Sequence, residues 1–178
     1  RGFPDFVDWP NARHSSTHQT QYYKWLERSY LAGLRLVVQH ATGNSLMCEL
    51  TVAVGAQKTL YSCNDMVSVD RAIDRAWQME RYIDAQSGGP GKGWLRVVTS
   101  PAQAREVIGQ GKLALVLGIE ISNLFDCFLT PPAGYPKCDE AMVKQKLDHY
   151  RERGVRVLFP VHKYDNAFSA GDGSRGFI

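Results

Sequence analysis

The sequence predicts a parallel α/β fold, and three observations carry that expectation. The run LALVLGIE (113–120) is apolar without alternation and closes on a carboxylate. Such a run reads as a strand covered on both faces, the pattern of parallel sheets. A unit of helix, glycine, apolar strand and polar terminus also occurs three times, as LERSYLAG-LRLVVQH, AREVIGQG-KLALVLGIE and DHYRERG-VRVLFPVH. Finally, the three strand ends His40, Glu120 and His162 are separated by 80 and 42 residues, about two βα units and one. This rhythm fits a parallel barrel or an open sheet, with all three ends on one rim.

Each element has its own grounds. The first 19 residues hold two prolines and two serines with no period and read as a loop. His14 and His18 are four apart, but without a helix that spacing makes no metal pair, so they read as solvent-facing. TQYYKWLERSYLAG places Tyr22, Trp25, Leu26 and Tyr30 at helical spacing, with Thr17 or Thr20 as the cap. Gly33 stops it and LRLVVQH (34–40) follows as a buried strand. NSLMCELTVAV suits a short helix or a strand equally.

Met66, Val69, Ile73, Ala76, Trp77 and Ile83 line one face of a helix of about five turns, with Ser62 and Asp65 imitating a capping box. GGPGKG (88–93) lacks phosphate-loop spacing and does not follow a strand, so it reads as a flexible connector. WLRVV (94–98) is a strand. Ser100 caps the next helix with Pro101 in its first turn, and Ala104, Val107 and Ile108 face inward. Asp139 caps a helix striped by Met142, Val143, Leu147 and Tyr150, Gly154 closes it, and VRVLFPVH (155–162) is the last strand. The remaining polar, glycine-rich tail reads as a loop.

At 178 residues, residues 1–178 are most simply one domain, large enough to bury a core. A net charge of +3 with no basic run gives nucleic acid or membrane surfaces no support as partners, and no apolar stretch approaches a membrane span. The cysteines fall as Cys48 with Cys63 and Cys127 with Cys138. Neither pair has zinc-site CxxC spacing. Two local disulfides, and hence a secreted or periplasmic protein, are favoured over buried free thiols.

His, Glu and His at three strand ends are the side chains that hold transition metals and move protons. A carboxylate between imidazoles can ligate zinc while another position holds an activated water. That chemistry points to a metal hydrolase. The same rim without metal suits a non-catalytic ligand-binding domain.

From Gly111 to Gly173, the order GKLALVLGIE, RERGVRVLFPVH and KYDNAFSAGDG resembles the membrane dipeptidase (renal dipeptidase-like) family of the metal-dependent amidohydrolases. The resemblance implies a (β/α)8 TIM-type barrel, a dinuclear zinc centre and hydrolysis of small amide or peptide bonds, with a small molecule or dipeptide as substrate. It makes Glu120 the carboxylate bridging the two zincs and His162 the residue that contacts substrate and stabilises the oxyanion. It assigns His40 nothing. The His-x-Asp pair that opens the family's first strand has no counterpart here, and neither do its later histidines and aspartate. About four strands are legible where a barrel needs eight, and the first residue is not Met. The chain is therefore expected to be an internal fragment that cannot hold a complete dinuclear site alone.

Overall fold

The computed structural model describes residues 23–55, 62–135 and 138–171. The loop bearing His14 and His18, the caps Thr17 and Thr20, Tyr22 and the last residues of the tail lie outside them. The elements run α1 (Tyr23–Leu31), β1 (Leu36–Gly43), α2 (Ser45–Ala53), α3 (Asp65–Gln86), β2 (Leu95–Val98), α4 (Pro101–Gly109), β3 (Leu113–Ile121), α5 (Glu140–Glu152) and β4 (Val155–Phe159). The protein is α/β, with parallel strands alternating with helices in an open sheet.

Strand β3 is the centre of that sheet. Along one edge β1 pairs with it from Leu36↔Ala114 to Gly43↔Ile121. Two short strands divide the other edge: β2 pairs with Leu113 to Val116, and β4 with Leu117 to Glu120. Arg156 joins the two, its Nε donating to the Thr99 carbonyl at 2.6 Å just beyond β2. The strands that carry the repeated unit thus lie side by side in chain order, β1–β3–β4, with β2 as the extra one. Between Leu117↔Val155 and Gly118↔Val157 the register slips by one residue. That bulge at Arg156 turns Val157 and Phe159 to the same side as Gly118 and Glu120.

The two faces of the sheet differ. Leu113, Leu115, Leu117, Ile119 and Ile121 are fully buried, and α3 contributes Met66, Val69, Ile73, Ala76 and Ile83 to the same core. A Cβ on Gly43, the partner of Ile121, would meet Ser68 of α3 at 3.5 Å, which places α3 on that face. The opposite face is open. Leu36 is 49% exposed, Val38 48% and Phe159 49%, although all three belong to apolar strands. Burying one such side chain is worth roughly 1.5–3 kcal/mol, so an apolar sheet face left in water is costly.

The long α3 is pinned at its start and along its middle. Asn64, not Ser62, is its N-cap and accepts from the Val67 amide at 3.0 Å; Ser62 instead accepts from the Asn64 amide at 3.1 Å. At mid-helix Trp77 donates from Nε1 to the Arg153 carbonyl at 3.0 Å, while Arg153 pairs with Asp70 and Asp74. Gly154 is required there twice over. Its φ of +97° is a left-handed conformation, and a Cβ would lie 3.0 Å from the Trp77 ring.

Caps Ser100 and Asp139 stand where the sequence places them. The ambiguous NSLMCELTVAV is a helix, capped by Asn44. Leu147, expected in the apolar stripe of α5, is exposed. The GGPGKG segment is a connector but is held: the amides of Gly91 and Gly93 donate to Asp84 at 2.9 and 2.7 Å, and Arg96 donates to the same carboxylate at 2.7 Å. An internal carboxylate occupies the place a bound anion would take. Burial alone would raise its pKa; the two amides and Arg96 outweigh that and lower it.

Both local cysteine pairs are disulfides, Cys48–Cys63 and Cys127–Cys138, with Cα atoms 5.6 and 5.5 Å apart. No helix among the described residues is long and apolar enough to cross a membrane.

Candidate functional site

Glu120 is the penultimate residue of β3, aligned with Thr42 of β1 and Phe159 of β4. His40 aligns with Gly118, two residues behind. Paired residues on parallel neighbours point to the same side, so His40 and Glu120 share the open face. His162 was expected to end a strand running over 155–162. β4 instead stops at Phe159, because Pro160 has no N–H with which to continue the ladder, and His162 lies in the loop beyond. His40 is likewise not a strand end, since β1 continues to Gly43.

The three side chains nevertheless meet. His40 Nδ1 is 3.0 Å from Glu120 Oε2, and His162 Nδ1 is 2.8 Å from Glu120 Oε1. An ionised carboxylate only accepts, so both Nδ1 atoms act as donors and Nε2 is the second nitrogen each imidazole has to offer. The hydrogen bond from His162 and then that from His40 lower the Glu120 pKa, against the opposing effect of burial. The carboxylate is thus held ionised with one imidazole on each oxygen.

Gly118 makes room for this. A Cβ at 118 would lie 2.5 Å from His40 Cδ2, 3.0 Å from its Nε2 and 3.3 Å from Val157 Cβ. The glycine of the GIE motif is the floor on which the His40 ring rests.

His162 is placed by the end of β3 itself. Buried Ser122 accepts at Oγ from the amides of Lys163 at 3.0 Å and Tyr164 at 3.3 Å. Buried Asn166 donates from Nδ2 to the carbonyls of Ser122 (2.9 Å) and Pro160 (2.7 Å), and its Oδ1 accepts from the amides of Phe168 (2.8 Å) and Ser169 (3.0 Å). Ser122 and Asn166 fasten the loop after β4 to the strand that carries Glu120. Neither is singled out by the sequence pattern; the signal that was there is the KYDNAF stretch, where an Asn in a polar segment suits side-chain-to-backbone bonding.

Behind the sheet, Asp65 is only 2% exposed. Its Oδ2 accepts from the backbone and side-chain nitrogens of Asn123 at 3.1 and 2.9 Å, while Oδ1 has no partner in hydrogen-bond geometry. Burial raises its pKa, partly offset by the Asn123 amide and by the nearby Ser45 N–H. The chain then turns through Phe125 and Asp126, both left-handed at φ 59° and 58°. Phe125 is held in that conformation by stacking on Tyr150 at 5.6 Å, and Asp126 by the Asn64 side-chain amide at 2.8 Å.

The donor types suit zinc, but their arrangement does not complete a zinc site. Among the described residues no group of three or more His, Cys, Asp or Glu side chains is placed to hold a metal ion. Imidazole, carboxylate and imidazole form a hydrogen-bonded row, each Nδ1 directed at the carboxylate instead of converging with it on a common centre. A dinuclear centre does not fit these residues alone. No family model, curated protein or solved structure matches the chain.

Proposed function

We propose that Glu120 and His162 belong to the site of a metal-dependent hydrolase of small amide or peptide bonds, similar to the membrane dipeptidases, of which this chain supplies a part. The observation that supports this reading most is an ionised carboxylate, held between two imidazoles at the C-terminal end of a central parallel strand, where α/β enzymes house their chemistry. The open apolar face bearing Leu36, Val38 and Phe159 agrees with a sheet that further strands would close into a (β/α)8 barrel.

In this reading Glu120 is the carboxylate that zinc would share, and the remaining ligands come from beyond the described residues. Zinc supplies an activated water when bound. A doubly protonated imidazole at this position would keep Nδ1–H on Glu120 while offering Nε2–H to the developing oxyanion of a small peptide or amide substrate, the role this reading gives His162. The two disulfides support a secreted or periplasmic location.

The test is dipeptide hydrolysis by the natural full-length protein with zinc present, comparing wild type with Glu120→Gln. Loss of hydrolysis with an unchanged circular dichroism spectrum supports the reading; undiminished hydrolysis sinks it. Two tightly bound zincs on the 178-residue chain alone would refute the partial site. The second reading, a ligand-binding domain without metal, is favoured by the occupation of both Glu120 oxygens by imidazoles. It predicts small-molecule binding indifferent to chelators and no hydrolysis.

A further inference from the structure

We infer that His40 is a positioning residue: its Nδ1–H fixes the Glu120 carboxylate so that Oε1 is presented to His162. The inference rests on the reading of Glu120 and His162 as the working pair and extends it to a residue to which the resemblance gives no role. His40 comes from a strand 80 residues earlier in the chain and reaches only one of the two oxygens. A glutamate has three rotatable side-chain bonds, and an acceptor held at a single oxygen can still swing about that contact. Two donors on opposite oxygens, at 3.0 and 2.8 Å, define the carboxylate plane.

The placement of the ring agrees with that role. It sits over Gly118, where any larger residue would displace it, and the β1–β3 register fixes its height on the strand. His40 is not part of the buried core, and its side chain retains 26% exposure. A residue whose only purpose was to fill space over Gly118 would need no nitrogen at Nδ1.

That contrast supplies the experiment. His40→Phe keeps a flat ring over Gly118 and removes the donor. His40→Asn removes the ring and keeps an N–H donor near the Nδ1 position. In the full 178-residue chain, long-range proton–nitrogen NMR reads the hydrogen-bonded Nδ1–H of His162, and backbone amide spectra confirm the fold of each variant. A positioning role predicts that the His162 Nδ1–H exchanges at least about tenfold faster in His40→Phe, the factor matching loss of one charge-assisted hydrogen bond, and stays close to wild type in His40→Asn. A space-filling role predicts the reverse order, and that result, or no change in either variant, overturns the inference.

Should His40→Phe not fold, Gly118→Ala displaces the same ring from below and must produce the same change at His162. Glu120→Gln separates the role of His40 from the pairing it depends on. If it leaves the His162 signal untouched, the Glu120–His162 pairing fails and takes the hydrolase reading with it. If it abolishes the signal while His40→Phe does not alter it, only the role of His40 is lost.

Discussion

Replacing Gly118 by alanine adds a single methyl group, and its cost can be worked out from the site. The new Cβ would stand 2.5 Å from His40 Cδ2, where carbon atoms prefer about 3.5–4.0 Å, so the ring must retreat by at least about 1 Å. From 3.0 Å, a shift of that size takes Nδ1 out of hydrogen-bond range of Glu120 Oε2. Losing a hydrogen bond to a charged group costs about 1.5–3 kcal/mol. Against this, Gly→Ala at an ordinary strand conformation stabilises by about 0.4–1 kcal/mol through the unfolded chain. The expected net is a loss of about 1–2 kcal/mol, read as a melting temperature lower by roughly 2–8 °C. The informative assay is a double-mutant cycle by urea unfolding with His40→Ala. Without the ring, only the 3.3 Å approach to Val157 Cβ remains, and Gly118→Ala should then be within about 0.5 kcal/mol of neutral or slightly stabilising. If Gly118→Ala costs as much without His40 as with it, the glycine is not there to seat the imidazole.

Two further outcomes follow from the same geometry. Asn166→Ala removes four hydrogen bonds from a buried site and should cost about 3 kcal/mol or more; hydrogen exchange should quicken at Phe168 and Ser169 and not in β1, and unchanged protection there would show that the loop is held otherwise. Two of the perturbed carboxylates, Glu120 and Asp65, should oppose each other in acid. Because the Glu120 pKa is lowered in the fold, its contribution is present above its ordinary 4.5 and disappears as pH falls through the folded value, so the advantage of wild type over Glu120→Gln shrinks in acid. Because that of Asp65 is raised, its contribution is complete below 3.8 and is lost as pH rises through the folded value, so wild type should lose ground to Asp65→Asn toward neutrality. Urea unfolding from pH 3 to 7 measures both slopes, and equal slopes would contradict the assigned environments.

Much of this fold is legible in the sequence where burial imposes a period. The buried run of β3, the stripe of α3 and the caps Ser100 and Asp139 are local signals, and they hold. Helix α2 is not legible because SLMCELTVA is apolar on nearly every side and none of it is buried, with Leu46, Met47 and Leu50 all exposed. The end of β4 is misread because Val161 continues the apolar run past Pro160, and the bulge at Arg156 leaves no mark on composition. The division of one β3 edge between β2 and β4 is a nonlocal pairing that no window on the chain contains.

For the site, strand endings bring Glu120, His40 and His162 to notice. That the two histidines fall on opposite oxygens of one carboxylate depends on the register of β1 and on the loop after β4. Asp65 reads from the sequence as a capping residue and is in fact a buried acid, because the elements that cover it, α2 and the segment at Asn123, come from elsewhere in the chain.

The central position of β3 also orders events in time. β1 leaves the ribosome well before its partner, residues 113–121, and Glu120 waits a further 42 residues for His162. Pairings of this span close slowly, and until they do an apolar strand edge is open to other chains. The disulfide loops, spanning 15 and 11 residues, can close on local contacts alone and need not wait for the sheet. Among these contacts the His–Glu–His row is therefore late to form, and the His162 imidazole proton marks chains in which β1, β3 and the loop after β4 have come together.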